Sequence, residues 1–150
     1  MNATVSPHWT YSLQLPHDPR APGIARATLR AVLASYGLGE LTPTAELLAG
    51  ELLSNAHCHT AGPYALRLRS ASPEGIRVSV WDSDPQIPSA FAEDRVAGNR
   101  PPDMAEDGRG LHLVRACADS WGAYPVGTGR AGKLLWAEVT PGSPWRQSGT

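Results

Sequence analysis

The chain has 150 residues, 41% of them hydrophobic and 18% charged, with a formal net charge of −1 and an isoelectric point near 6.5. That length and composition fit one globular domain with one substantial core, and the balanced charge excludes a global basic field for drawing in nucleic acid or an anionic membrane. No apolar run approaches the ~18 residues of a membrane span, the amino terminus lacks the basic and apolar regions of a signal peptide, and two cysteines, Cys58 and Cys117, suit a reducing compartment, so a cytoplasmic protein is expected.

Residues 1–8 show no period and read as a flexible leader to a domain over 9–140. From Trp9 to Leu15 the pattern alternates, with Trp9, Tyr11, Leu13 and Leu15 on one side, as in a half-buried strand. Pro16 to Pro22 turns the chain. Ile24, Ala27, Leu29, Ala31, Val32 and Leu33 then predict a helix to about Tyr36, ended by Gly37 and Gly39.

A second helix starts at Thr42 or Thr44, with Pro43 or Glu46 in its first turn, and carries a core-facing stripe of Leu47, Leu48, Leu52 and Ala56. Its last stretch, Glu51 to Thr60 (ELLSNAHCHT), sets polar groups beside that stripe. Glu51 and Asn55 are four residues apart and project from one face. They read either as the solvated edge of an amphipathic helix or as a site. In the second case Asn55 holds a divalent ion by its side-chain oxygen, as suits magnesium, and Glu51 positions or deprotonates a nucleophile. His57, Cys58 and His59 invite a zinc reading, but positions two apart on a helix face away from each other. His57 is therefore expected to be exposed, with Cys58 and Cys117 packed thiols.

Tyr64 to Arg69 and Gly75 to Trp81 read as strands of a hairpin connected through Ala71 to Glu74. Asp82 stands where the second strand ends, and its carboxylate can accept a hydrogen bond from the exocyclic amine of a base. The plainer reading is that Asp82 and Asp84 make a turn with Pro85. From Asp82 to Asp107 the sequence is rich in Pro, Asp, Gly and Asn, a span typical of a functional lid or a disordered segment. GRGLHLVRACADSWG follows as a helix begun by a glycine turn. Gly108 and Gly110 permit close approach and positive φ, and free amides at the helix start suit a phosphate. Tyr124 to Gly132 reads as a turn-rich link that admits a short strand, Lys133 to Thr140 reads as the last strand, and 141–150 as a flexible tail. Gly127 to Leu134 meets the GxxxxGK part of a P-loop, but Leu134 stands where its hydroxyl residue belongs and a strand follows instead of a helix. The element order predicts an α/β two-layer sandwich, with helices on one face of a mixed sheet.

ELLSNAHCHT, the strand ending in Asp82, the long loop and DGRGLHLV occur in the order of the N, adenine and glycine boxes of the GHKL ATPases. Over roughly residues 9–140 the chain resembles the small bacterial members related to anti-sigma factor serine/threonine kinases. A bacterial source also fits the bias towards Arg, Ala, Gly and Pro. The resemblance implies a Bergerat, histidine-kinase-like ATPase fold with ATP in a cleft between helices and sheet, and a lid between Asp82 and Gly108. It implies Glu51 as catalytic base, Asn55 as ligand to Mg2+, Asp82 on the adenine amine, and Gly108, Arg109, Gly110 and Leu111 at the phosphates. Three departures stand out: Cys58 where the family often has Lys or Arg, Asp84 and Gln86 at glycine positions of the adenine box, and Leu134 where a Thr often contacts the adenine region.

The function so implied is ATP-dependent transfer of the γ-phosphoryl group to a serine of an anti-anti-sigma-type partner, sequestration of a sigma factor, or both. Its partners would be ATP or ADP and a regulatory protein, with a homodimer admissible and neither nucleic acid nor membrane involved. The rival is a catalytically weak or inactive module that grips a protein in an ATP-dependent way. Autonomous hydrolysis is the third reading.

Overall fold

The computed structural model describes residues 8–71, 74–92, 106–127 and 132–142, with the backbone alone for 106–109. Apart from residues 8, 141 and 142, the expected flexible termini lie outside the described residues. So does 93–105, the body of the expected lid.

Strand β1 (Thr10–Leu15) leads into α1 (Ala21–Ser35) and α2 (Thr42–His59), followed by β2 (Tyr64–Ala71), β3 (Gly75–Asp82), α3 (Glu106–Cys117), β4 (Ser120–Val126) and β5 (Gly132–Val139). Short 3₁₀ turns cover Gly39–Leu41 and Ser89–Phe91. The five strands form one sheet in the order β1-β2-β3-β5-β4. All four pairings are antiparallel, where a mixed sheet was expected. The reason is parity: two helices separate β1 from β2, and α3 and β4 separate β3 from β5. Each traverse of the layer reverses the chain, so two traverses return it antiparallel.

One sheet face is covered. Leu66, Leu68, Ile76, Val78, Val80, Leu135, Ala137 and Val139 form one core with Leu29 and Leu33 of α1, Leu48, Leu52 and Leu53 of α2, and Leu111 and Val114 of α3. Each large aliphatic side chain so buried contributes about 1.5–3 kcal/mol. The opposite face carries Arg67, Arg77, Trp81, Trp136 and Glu138, as strand alternation and the register require. There Arg77 pairs with Glu138 at 2.7 Å and lies 3.8 Å from the centre of the Trp136 ring.

The helices follow the predicted periods with shifted stripes. In α1 the buried residues are Ala21, Ala25, Leu29, Val32 and Leu33, while Ile24 is 56% exposed. Gly37, at φ 72°, ends the helix, and Leu38 N–H returns to Leu33 O at 2.8 Å. Helix α2 begins at Thr42 with no side-chain cap, Pro43 lies in its first turn, and Asn55 joins its buried face. Among the described residues no helix is long and apolar enough to cross a membrane.

Two elements differ from expectation. Helix α3 starts at Glu106, so Gly108 and Gly110 lie within its first turns and not in a turn ahead of it. Strand β4 occupies Ser120–Val126, where the end of the helix and the start of a turn-rich link, with at most a short strand, were expected. Gly122 and Pro125 disguise it, and Pro125 is tolerated because β4 is an edge strand.

Candidate functional site

Helix α2 lies across β3 and β5 and alongside α3, so polar residues on its inner edge face the junction of all three. Asn55 is 8% exposed, and among the described residues its Oδ1 has no hydrogen-bond partner. Leaving a buried acceptor unsatisfied costs about 1–3 kcal/mol, a penalty that an oxygen-seeking cation removes. A side-chain amide oxygen is a hard donor of the kind magnesium accepts, so the residues present fit that ion. The solvated-edge reading therefore does not hold for Asn55.

One turn earlier, half-buried Glu51 abuts α3 at Gly110. A Cβ there would collide with Glu51 Oε1 and lie 3.0 Å from its Cδ. Close approach is thus the service Gly110 performs. Positive φ is not: Gly110 is absent from the left-handed glycines, Gly37, Gly127 and Gly142, because it is helical. The free amides of α3 belong to its first turn, from Glu106, and Gly108 and Arg109 fall in that turn. Leu111 is 1% exposed and part of the core, so only its main chain is left for a ligand.

Asp82 ends β3 with 1% exposure. Its Oδ1 accepts Asp84 N–H at 2.9 Å and Lys133 Nζ–H, also at 2.9 Å. Lys133 Nζ also donates to Asp84 O at 3.1 Å. Asp84 in turn accepts Gln86 N–H at 3.0 Å. The turn predicted around Asp84 and the buried carboxylate thus coexist. Among the described residues no hydrogen bond joins Asp82 to Glu51 or Asn55.

Sequence reasoning missed Lys133. The β5 residue singled out, as standing where a Thr often contacts the adenine region, was Leu134, but the register sets Lys133 opposite Asp82 and Leu134 opposite Trp81. Leu134 therefore points to the other face. The signal was available in the strand period: counting from either end of KLLWAEV puts Lys133 in phase with Leu135 and Ala137. Gly127 to Leu134 is no P-loop, since β5 follows it.

The beginning of the long loop is anchored. Phe91 is buried, its ring centre 5.0 Å from that of Trp121, and Arg115 Nη1–H donates to Ala90 O at 3.1 Å. At the C-terminal end of α2, His57 stacks on His17 at 4.0 Å and its Nδ1 is hydrogen-bonded to Tyr64 OH at 2.8 Å. His17 Nε2–H donates to the His57 carbonyl at 2.7 Å. His57 is therefore partly buried where exposure was expected, and Cys58 is the exposed thiol. Among the described residues no three His, Cys, Asp or Glu side chains gather to hold a metal. Burial is the main cause raising the Tyr64 phenol above its ordinary 10.0. On the surface, hydrogen bonds from Arg20 hold the Asp18 carboxyl well below the usual range.

Comparison with known proteins gives one family: the sequence pattern described as a histidine kinase-like ATPase domain matches residues 15–137. No curated protein matches the chain.

Proposed function

Because the chain belongs to the histidine kinase-like ATPase family, we propose that it is an ATP-binding regulatory protein that transfers the γ-phosphoryl group to a serine of a partner. In this reading the partner is a protein of the anti-anti-sigma type, and the protein sequesters a sigma factor in addition or instead. The observation that carries the site is the buried, partnerless oxygen of Asn55, one helical turn from a carboxylate seated on Gly110.

In the proposed reaction the serine oxygen forms a bond to the γ-phosphorus while the bridging P–O bond to ADP breaks. Glu51 Oε1 takes the serine proton, which is general-base catalysis. Asn55 Oδ1 would hold magnesium, which when bound neutralises phosphate charge. The first-turn amides of α3, including those of Gly108 and Arg109, orient the phosphates by their N–H groups, and Asp82 accepts the adenine amine. Such a site works mainly by alignment and charge, as phosphoryl transfer requires.

Transfer from γ-labelled ATP to a candidate partner tests this. Glu51→Ala should slow transfer by about 10²–10⁴-fold with ATP binding retained, whereas Asn55→Ala should lose magnesium-dependent ATP binding. Wild-type transfer rates in both variants would refute the assignment. The exposure of Cys58, where the family often carries a cation, favours a second reading as a binding module without turnover. Magnesium-ATP binding together with no transfer to any neighbour-encoded protein would establish it.

A further inference from the structure

Lys133 is the only lysine in the chain, and it is 1% exposed. Its partner Asp82 is equally enclosed, each side chain showing 2% of its surface. Burying two ions seldom adds net stability, since a well-packed apolar pair of similar volume does as well or better. The pair therefore invites an explanation in terms of what it does to the carboxylate.

Both donors described at Asp82, Lys133 Nζ–H and Asp84 N–H, fall on Oδ1. A carboxylate has about four lone-pair sites on two oxygens, so Oδ2 keeps its accepting capacity. The backbone fixes the arrangement. A Cβ at Gly132 would collide with Asp82 O and lie 2.7 Å from Trp81 Nε1, so β5 runs against the end of β3 at the residue just before Lys133.

We propose that Lys133 is a positioning residue that sets base specificity. It holds Oδ1 with a cationic donor and so leaves Oδ2 as the accepting oxygen for the base. An acceptor suits the 6-amino group of adenine and repels the 6-oxo group of hypoxanthine or guanine. Without the Lys133 donor, Oδ1 is no longer held and the carboxylate presents no fixed acceptor, so discrimination between the 6-amino and 6-oxo groups falls. The inference rests on Asp82 as the base-reading group.

The test is calorimetric titration of the full chain with magnesium complexes of ATP, ITP and purine riboside triphosphate, which has hydrogen at position 6. The wild type should prefer ATP to both others by at least about tenfold, the scale of a hydrogen bond to a charged group. Lys133→Met should lower the ATP:ITP affinity ratio by about tenfold or more, and Lys133→Arg should restore it. An unchanged ratio in Lys133→Met overturns the proposal. The double variant Asp82→Leu/Lys133→Met separates the two claims: if it keeps the wild-type preference for ATP over purine riboside triphosphate, Asp82 does not read the base. Should Lys133→Met not fold, ¹⁵N-lysine labelling of the wild type gives one ammonium resonance to follow. ATP should move it further than purine riboside triphosphate does, and equal shifts at saturation overturn the proposal.

Discussion

In the proposed site, Asn55 and Gly110 are the single residues at which stability and function would be traded. Asn55 leaves an oxygen unsatisfied inside the protein, so Asn55→Leu should stabilise the ligand-free protein by about 1–3 kcal/mol. The same change should abolish the rise in stability on adding magnesium-ATP. Urea unfolding with and without the nucleotide measures both, and a variant that still gains stability from it would remove Asn55 from the site. Gly110→Ala tests the opposite balance. The added methyl would meet the flexible end of Glu51, so stability should change by less than about 1 kcal/mol while the carboxylate is displaced and phosphoryl transfer falls by about 10²-fold or more. That Glu51 and Asn55 share one helix was legible from their spacing. That Oδ1 of Asn55 lacks a partner was not, because satisfaction depends on neighbours that the sequence does not bring together.

Among the elements, those with strong local periods were found where expected, and those defined by their neighbours were not. Alternation located β1, β2, β3 and β5 to within two residues, and apolar spacing located α1 and α2. Strand β4 was legible only as an optional short strand, and not from Ser120, because Gly122 and Pro125 are poor strand formers by local preference; its existence depends on pairing with β5. Gly122 is needed there because a Cβ would come within 2.8 Å of the Trp136 indole. Gly122→Ala should therefore cost about 1–3 kcal/mol as the ring is displaced, read as a lower urea midpoint with an unchanged slope. No loss would mean that the indole swings aside freely. The start of α3 was misplaced for a related reason: glycine is a weak helix former, yet here the packing of α3 against α2 holds it in the helix.

At the scale of the whole molecule, the two-layer architecture and the single core were legible, while the strand directions followed only once the traverses were counted. Stability should respond to alkali through Tyr64, whose phenol burial raises above 10.0. Below about pH 10 the phenol is neutral folded and unfolded, so its contribution is fully present; as pH rises through the folded value, that contribution is lost. Unfolding curves from about pH 9 to 12 should thus decline more steeply for the wild type than for Tyr64→Phe. Parallel declines would show that burial does not set this titration. The enclosure of Lys133 also reaches beyond the cleft. Amine-reactive dyes should label the native chain at its α-amino group alone. With opening and reclosing faster than cleavage, a lysine-specific endoprotease should cut it in proportion to the opened fraction, so that a simple digestion clock reads the unfolding equilibrium.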